Sequence, residues 1–86
     1  MKLAAKLLRI REALGFTQGE VIERLDLPNS ITQPHISSWE KGKREPDLLS
    51  LLAYARGAGI CVEVLIDDKL DLPKDLPSKK TFHPHK

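Results

Sequence analysis

The stretch DLPNSITQPHISSWEKGKREP, residues 26–46, decides how this chain is read. It is mostly polar, yet it holds the chain's only tryptophan, Trp39, beside Glu40, and it closes on Lys41, Lys43 and Arg44. Thr32 has the chemistry of a helix N-cap, and proline is tolerated in a first turn, where Pro34 stands. Ile36 and Trp39 lie one turn apart, and Gly42 supplies a stop. The spacing therefore predicts a short helix from about Thr32 to Gly42, anchored in a core by Ile36 and Trp39. Its other faces carry Gln33, His35, Ser37 and Ser38, all short, polar and uncharged at neutral pH.

Working outward, Leu3, Leu7, Ile10 and Leu14 recur at helical spacing, and Gly15 caps that run. Thr17 and Glu20 form a capping-box pair that opens a second helix with Val21, Ile22 and Leu25 inward. Residues 26–30 are turn chemistry. After the third helix, Pro46 is expected to start a fourth with Leu48, Leu51, Leu52 and Ala55 on its stripe, broken by Gly57 and Gly59. Residues 61–66 are short and apolar. They alternate like a strand at Val62, Val64 and Ile66, but no partner strand is visible, so a fifth short helix is preferred. Pro73, Pro77 and Pro84 punctuate the remainder, which reads as a partly disordered tail. The expected fold is all-α: a compact five-helix bundle over residues 1–68, with a tail over 69–86.

The chain has 86 residues and 41% hydrophobic content, enough for one soluble domain with a single core. One cysteine, Cys61, excludes an internal disulfide, and a reducing, cytoplasmic setting is expected. No apolar run approaches the roughly 18 residues of a membrane span, and charges interrupt the N-terminal run, so neither span nor signal peptide is expected. A net charge of +2 does not by itself imply a polyanionic partner.

Two charges stand where apolar residues belong. Arg11 follows Leu7 by four and precedes Leu14 by three; Glu40 follows Ile36 by four. Each would be costly buried alone, so they are expected to pair across helices 1 and 3. The small polar face of helix 3 suits close approach to base edges in a major groove about 12 Å wide, with the following cations at the phosphates.

The runs IREALGFTQGEVIERL (residues 10–25), TQPHISSWEKGKREP (32–46) and LLSLLAYARGAGICVEVLI (48–66) together resemble the Xre/Cro-type helix-turn-helix, the fold of the lambdoid phage repressors. The resemblance spans residues 7–66. It implies sequence-specific binding of double-stranded DNA by a transcriptional regulator, a repressor by expectation. It implies that Gln33, Pro34, Ser37 and Ser38 face bases, and that Gln18 meets a phosphate together with Lys41, Lys43 and Arg44. It also gives Arg11 and Glu40 the role of an inter-helix ion pair. The chain departs from the pattern in the turn: four extra residues near Pro28, Asn29, Ser30 and Ile31, Ile22 for a small alanine, and Asp26 for the turn glycine.

Other chemistry is weakly supported. His83 and His85 lack a third ligand, so no metal is expected. Cys61 has no fixed histidine beside it, and no carboxylate pair or phosphate loop is present, so neither an enzyme nor a cofactor is expected. A homodimer is expected on DNA, through residues 61–66 with Leu70 and Leu72. The alternative is the same fold acting as an antitoxin or adaptor that binds a protein such as a toxin.

Overall fold

A computed structural model describes residues 1–82. It contains five helices and, among the described residues, no strand: α1 (Leu3–Leu14), α2 (Gln18–Arg24), α3 (Gln33–Glu40), α4 (Leu48–Ala58) and α5 (Val62–Ile66). The body measures 29 × 28 × 19 Å. Helix α1 is central and packs against α3, α4 and α5, while α2 packs on α3. Leu7, Ile10, Leu14, Val21, Ile36, Trp39, Tyr54 and Leu65 form the middle of one core. The His83 and His85 of the sequence reading lie outside the described residues.

The first four helices end in the same way. The residue after the last turn adopts a left-handed conformation, and two backbone N–H groups reach back to carbonyls of that turn, the Schellman arrangement. At α1 these bonds are Gly15 to Glu12 and Phe16 to Arg11; at α4 they are Gly59 to Arg56 and Ile60 to Ala55. At α2 the left-handed residue is Asp26, with φ 58°, the described non-glycine residue at positive φ. Its N–H donates to the Glu23 carbonyl and that of Leu27 to Ile22. The turn thus keeps a glycine-type conformation while carrying a side chain that disfavours it. Asp26→Gly is expected to stabilise the fold by about 0.5–1 kcal/mol, seen as a higher urea midpoint at unchanged slope. A lower midpoint would mean that the aspartate contributes something beyond its backbone angle.

The longer turn is closed and anchored. The Ile31 N–H donates to the Pro28 carbonyl at 3.0 Å. Leu27 is buried on one side, and Ile31 packs against the core on the other, leaving Asn29 and Ser30 exposed.

Three expectations are corrected. Pro46 is buried ahead of α4, and Asp47 is the N-cap, its carboxylate accepting from the Ser50 N–H and hydroxyl. The helix therefore begins at Leu48, which is 83% exposed; the inward stripe is Leu51, Tyr54, Ala55 and Ala58. Gly57 does not break the helix but lies within it. A Cβ there would stand 2.3 Å from Leu25 Cδ2, so glycine lets α4 approach the end of α2. Part of the surface expected to join two copies is turned inward: Leu65 is fully buried, and Leu72 packs on the core.

Two features were not anticipated. Lys6 is fully buried; its Nζ donates to the carbonyls of Val64 (2.5 Å) and Asp67 (2.8 Å), satisfying the open end of α5. The segment 69–82 is not helical, yet it carries Leu72, Leu76 and Phe82 onto the body. Phe82 meets Phe16 edge to face, with ring centroids 5.3 Å apart.

Tyr54 is fully buried, edge-on to Trp39 of α3 at 6.4 Å, and its hydroxyl has no hydrogen-bond partner among the described residues. Burial raises its pKa above the ordinary value of 10.0, with the Glu40 charge adding to the effect. A raised folded-state pKa favours the protonated fold. Stability is therefore complete below about pH 10, where the unfolded phenol titrates, and is lost as pH rises beyond it. The chain has one tyrosine, so phenolate absorbance reports this group alone. It is expected to appear only with unfolding. Tyr54→Phe should be neutral or stabilising at pH 7 and should shift the alkaline transition upward. Phenolate absorbance appearing near pH 10 in folded protein would contradict this.

Candidate nucleic-acid interface

Helix α3 is built to be held on one side and presented on the other. Ile36 and Trp39 are buried; Gln33, Pro34 and His35 are exposed, and Ser37 and Ser38 are half-buried. At the N-cap, the Thr32 N–H donates to His35 Nδ1 at 3.0 Å, and the Thr32 hydroxyl lies 3.0 Å from the same nitrogen. This is the spacing of a capping box with histidine in the glutamate's place. His35 is thus engaged in capping the start of the helix. Pro34 stands in the first turn, where no intrahelical N–H is needed.

At the other end, Gly42 takes φ 74°, and its N–H donates to Trp39 while that of Lys43 donates to Ser38. This sharp exit throws Lys41, Lys43 and Arg44 into solvent immediately beyond the helix. Among the described residues none of the three forms an ion pair. Three uncompensated cations so close together repel one another, and an anionic partner relieves that repulsion.

Between these ends, three helices meet at one carboxylate. Arg11 Nε donates to Glu40 Oε2 at 2.7 Å, and Arg11 Nη2 donates to Glu40 Oε1 at 3.0 Å, a bidentate pair. The side chains are 19% and 6% exposed. Arg11 Nη1 also donates to the Phe16 carbonyl at 3.0 Å, tying in the α1–α2 corner. Gln18, in the first turn of α2, donates its amide to Glu40 Oε1 at 3.0 Å. The side-chain oxygen of Gln33 comes within 3.9 Å of where a side chain on Gly19 would begin, so the first turns of α2 and α3 are neighbours. Gln18 and Gln33 therefore stand near each other, and the cations follow the far end of α3. The Gln18–Glu40 bond had no sequence signal, because spacing pairs Glu40 with Arg11 and leaves Gln18, in a first turn, looking solvent-facing.

Among the described residues no three His, Cys, Asp or Glu side chains converge to hold a metal. Cys61 is exposed as the N-cap of α5. Among the described residues no helix is long and apolar enough to cross a membrane.

A family model described as Helix-turn-helix matches residues 7–60, which takes in most of α1, all of α2 to α4, and Arg11, Gln18, Gln33, Ser37, Ser38, Glu40, Lys41, Lys43 and Arg44. The chain belongs to this family, in its Xre/Cro-type form, and so carries a DNA-binding domain of the kind used by transcription regulators. No curated protein matches the chain closely enough to count as a relative.

Proposed function

We propose that the protein is a sequence-specific binder of double-stranded DNA, a transcriptional repressor that reads the major groove with α3. Gln33, Pro34, Ser37 and Ser38 face base edges; Gln18 on one flank and Lys41, Lys43 and Arg44 on the other meet phosphates. The observation that carries this reading is the pairing of a small, polar, well-anchored helix face with three exposed cations at its exit. Side chains of this size let the helix backbone approach the bases, and glutamine and serine offer the donors and acceptors that base edges require.

A helix of eight residues reads only a few base pairs, so two copies on half-sites about one helical turn apart supply specificity. With Leu65 and Leu72 turned inward, Ile66 (55% exposed) and Leu70 (42%) remain for the contact between copies. Sedimentation on the preferred site tests this; a lone protomer there would contradict it.

The second reading is an adaptor or antitoxin that binds a protein partner. A shallow groove favours it, running between the α2–α3 turn and α4 and lined by Leu27, Pro28, Leu49 and Leu52, with Leu49 65% exposed. Binding to mixed-sequence duplex at low salt, falling steeply as salt rises, is the result expected for the DNA reading. No binding at low salt would leave the adaptor reading in its place.

A further inference from the structure

We propose that Glu40 is a positioning residue for DNA recognition: it orients the Gln18 amide toward a phosphate, and Arg11 cancels the charge that would otherwise repel that phosphate. The inference rests on the DNA reading above and adds to it the device that sets the phosphate contact.

An ionised carboxylate can only accept hydrogen bonds, whereas a glutamine amide has one end that donates and one that accepts. Set against Glu40 Oε1 at 3.0 Å, Gln18 must turn its NH2 inward, which fixes which end is which. One N–H is used on Glu40. The second, on the same nitrogen, remains free and points away from the carboxylate by the planar geometry of the amide. That remaining N–H is the donor a phosphate oxygen needs. Gln18 is half-exposed, so without this bond its side chain would sample several rotamers and both amide orientations, and binding would have to order it.

The arrangement requires Arg11. A bare carboxylate next to a phosphate contact would oppose binding. Two guanidinium bonds, 2.7 and 3.0 Å, spread opposite charge over the same carboxylate. Oε1 then accepts from both Arg11 and Gln18, so one oxygen links α1, α2 and α3. The helix that reads bases thereby holds the side chain that reads the backbone, and the two contacts keep a common register.

The test is a double-mutant cycle read on duplex affinity at fixed salt. Gln18→Ala in the otherwise native protein should weaken binding by about tenfold, as for loss of one charge-assisted bond. Arg11→Met with Glu40→Leu removes both charges together and leaves no unpaired one; its unfolding transition checks that it folds. In that background binding should already be weaker, and Gln18→Ala should add less than about twofold if the two sites are coupled. An equal loss from Gln18→Ala in both backgrounds, or native affinity in the apolar pair, would overturn the proposal. A native protein that fails to bind duplex at all would instead remove the DNA reading on which it rests. Should the apolar pair not fold, the side-chain amide protons of Gln18 decide in the native protein. One should stay protected and unshifted on adding DNA while the other moves; release of both would overturn the proposal.

Discussion

Glu40→Ala is expected to lower the unfolding free energy by about 3 kcal/mol, the low end for breaking a buried pair because Arg11 keeps some access to water. The substitution strands the Arg11 guanidinium, which is only 19% exposed and whose remaining partner is the Phe16 carbonyl. It also frees Gln18 and loosens the meeting point of α1, α2 and α3. For a domain of this size the melting temperature should fall by roughly 12–24 °C. Arg11→Ala should cost a similar amount, and the double variant far less than their sum, since each single change does harm mainly by leaving the other charge unpaired. Additive losses would show that the two side chains do not act as a unit.

Replacing Lys41, Lys43 and Arg44 together by glutamine is the change expected to affect DNA binding most. Each phosphate contact contributes about 0.9 to the slope of log affinity against log salt, so the triple variant should be shallower by about 2.7 and Lys43→Ala alone by about one. All duplex sequences should weaken alike, because phosphates carry no sequence. Folding should be unaffected, since the three side chains are exposed and form no ion pair among the described residues. An unchanged slope would take these residues off the DNA, whatever else binds there.

Much of the fold was legible because apolar spacing and caps agree along the first half of the chain. Thr17 with Glu20, the stripe from Leu7 to Leu14, and the Ile36–Trp39 anchor each point to one arrangement. Arg11 and Glu40 were visible as charges on apolar faces. The same reasoning applied to Lys6, which follows Leu3 by three and precedes Ile10 by four, would have marked it too. A lysine at a helix start ordinarily reads as solvent-facing, and its partner carbonyls belong to the last turn and C-cap of a five-residue helix with almost no signal of its own. The start of α4 was misread because Leu48 looks like a core residue, and only the Asp47 cap places it before the inward stripe. The packing of residues 72–82 was hidden for a different reason. Leu72 and Leu76 are four apart, but Pro73 and Pro77 speak against the helix that this spacing suggests, and Phe82 follows only six residues later, so no regular element announces that they share a surface.

The candidate site was legible in its types more than in its contacts. Small polar residues on α3 and cations at its exit were readable from composition and spacing. The hydrogen bond from Gln18 to Glu40 depends on how helices 2 and 3 meet across a lengthened turn. Local sequence does not set that angle. Asp26 at positive φ and the closed Pro28–Ile31 turn do, and neither is visible as a pattern.

The central claim is that α3 is the face that meets duplex DNA. The most direct measurement is a titration of isotope-labelled protein with a duplex selected from a random library, following backbone amides at low and moderate salt. The account predicts shifts concentrated at Gln18, Gln33, Ser37, Ser38 and residues 41–44, with Leu49, Leu52 and Arg56 unmoved. Shifts confined to those last three residues, or none at the lowest salt, would contradict it.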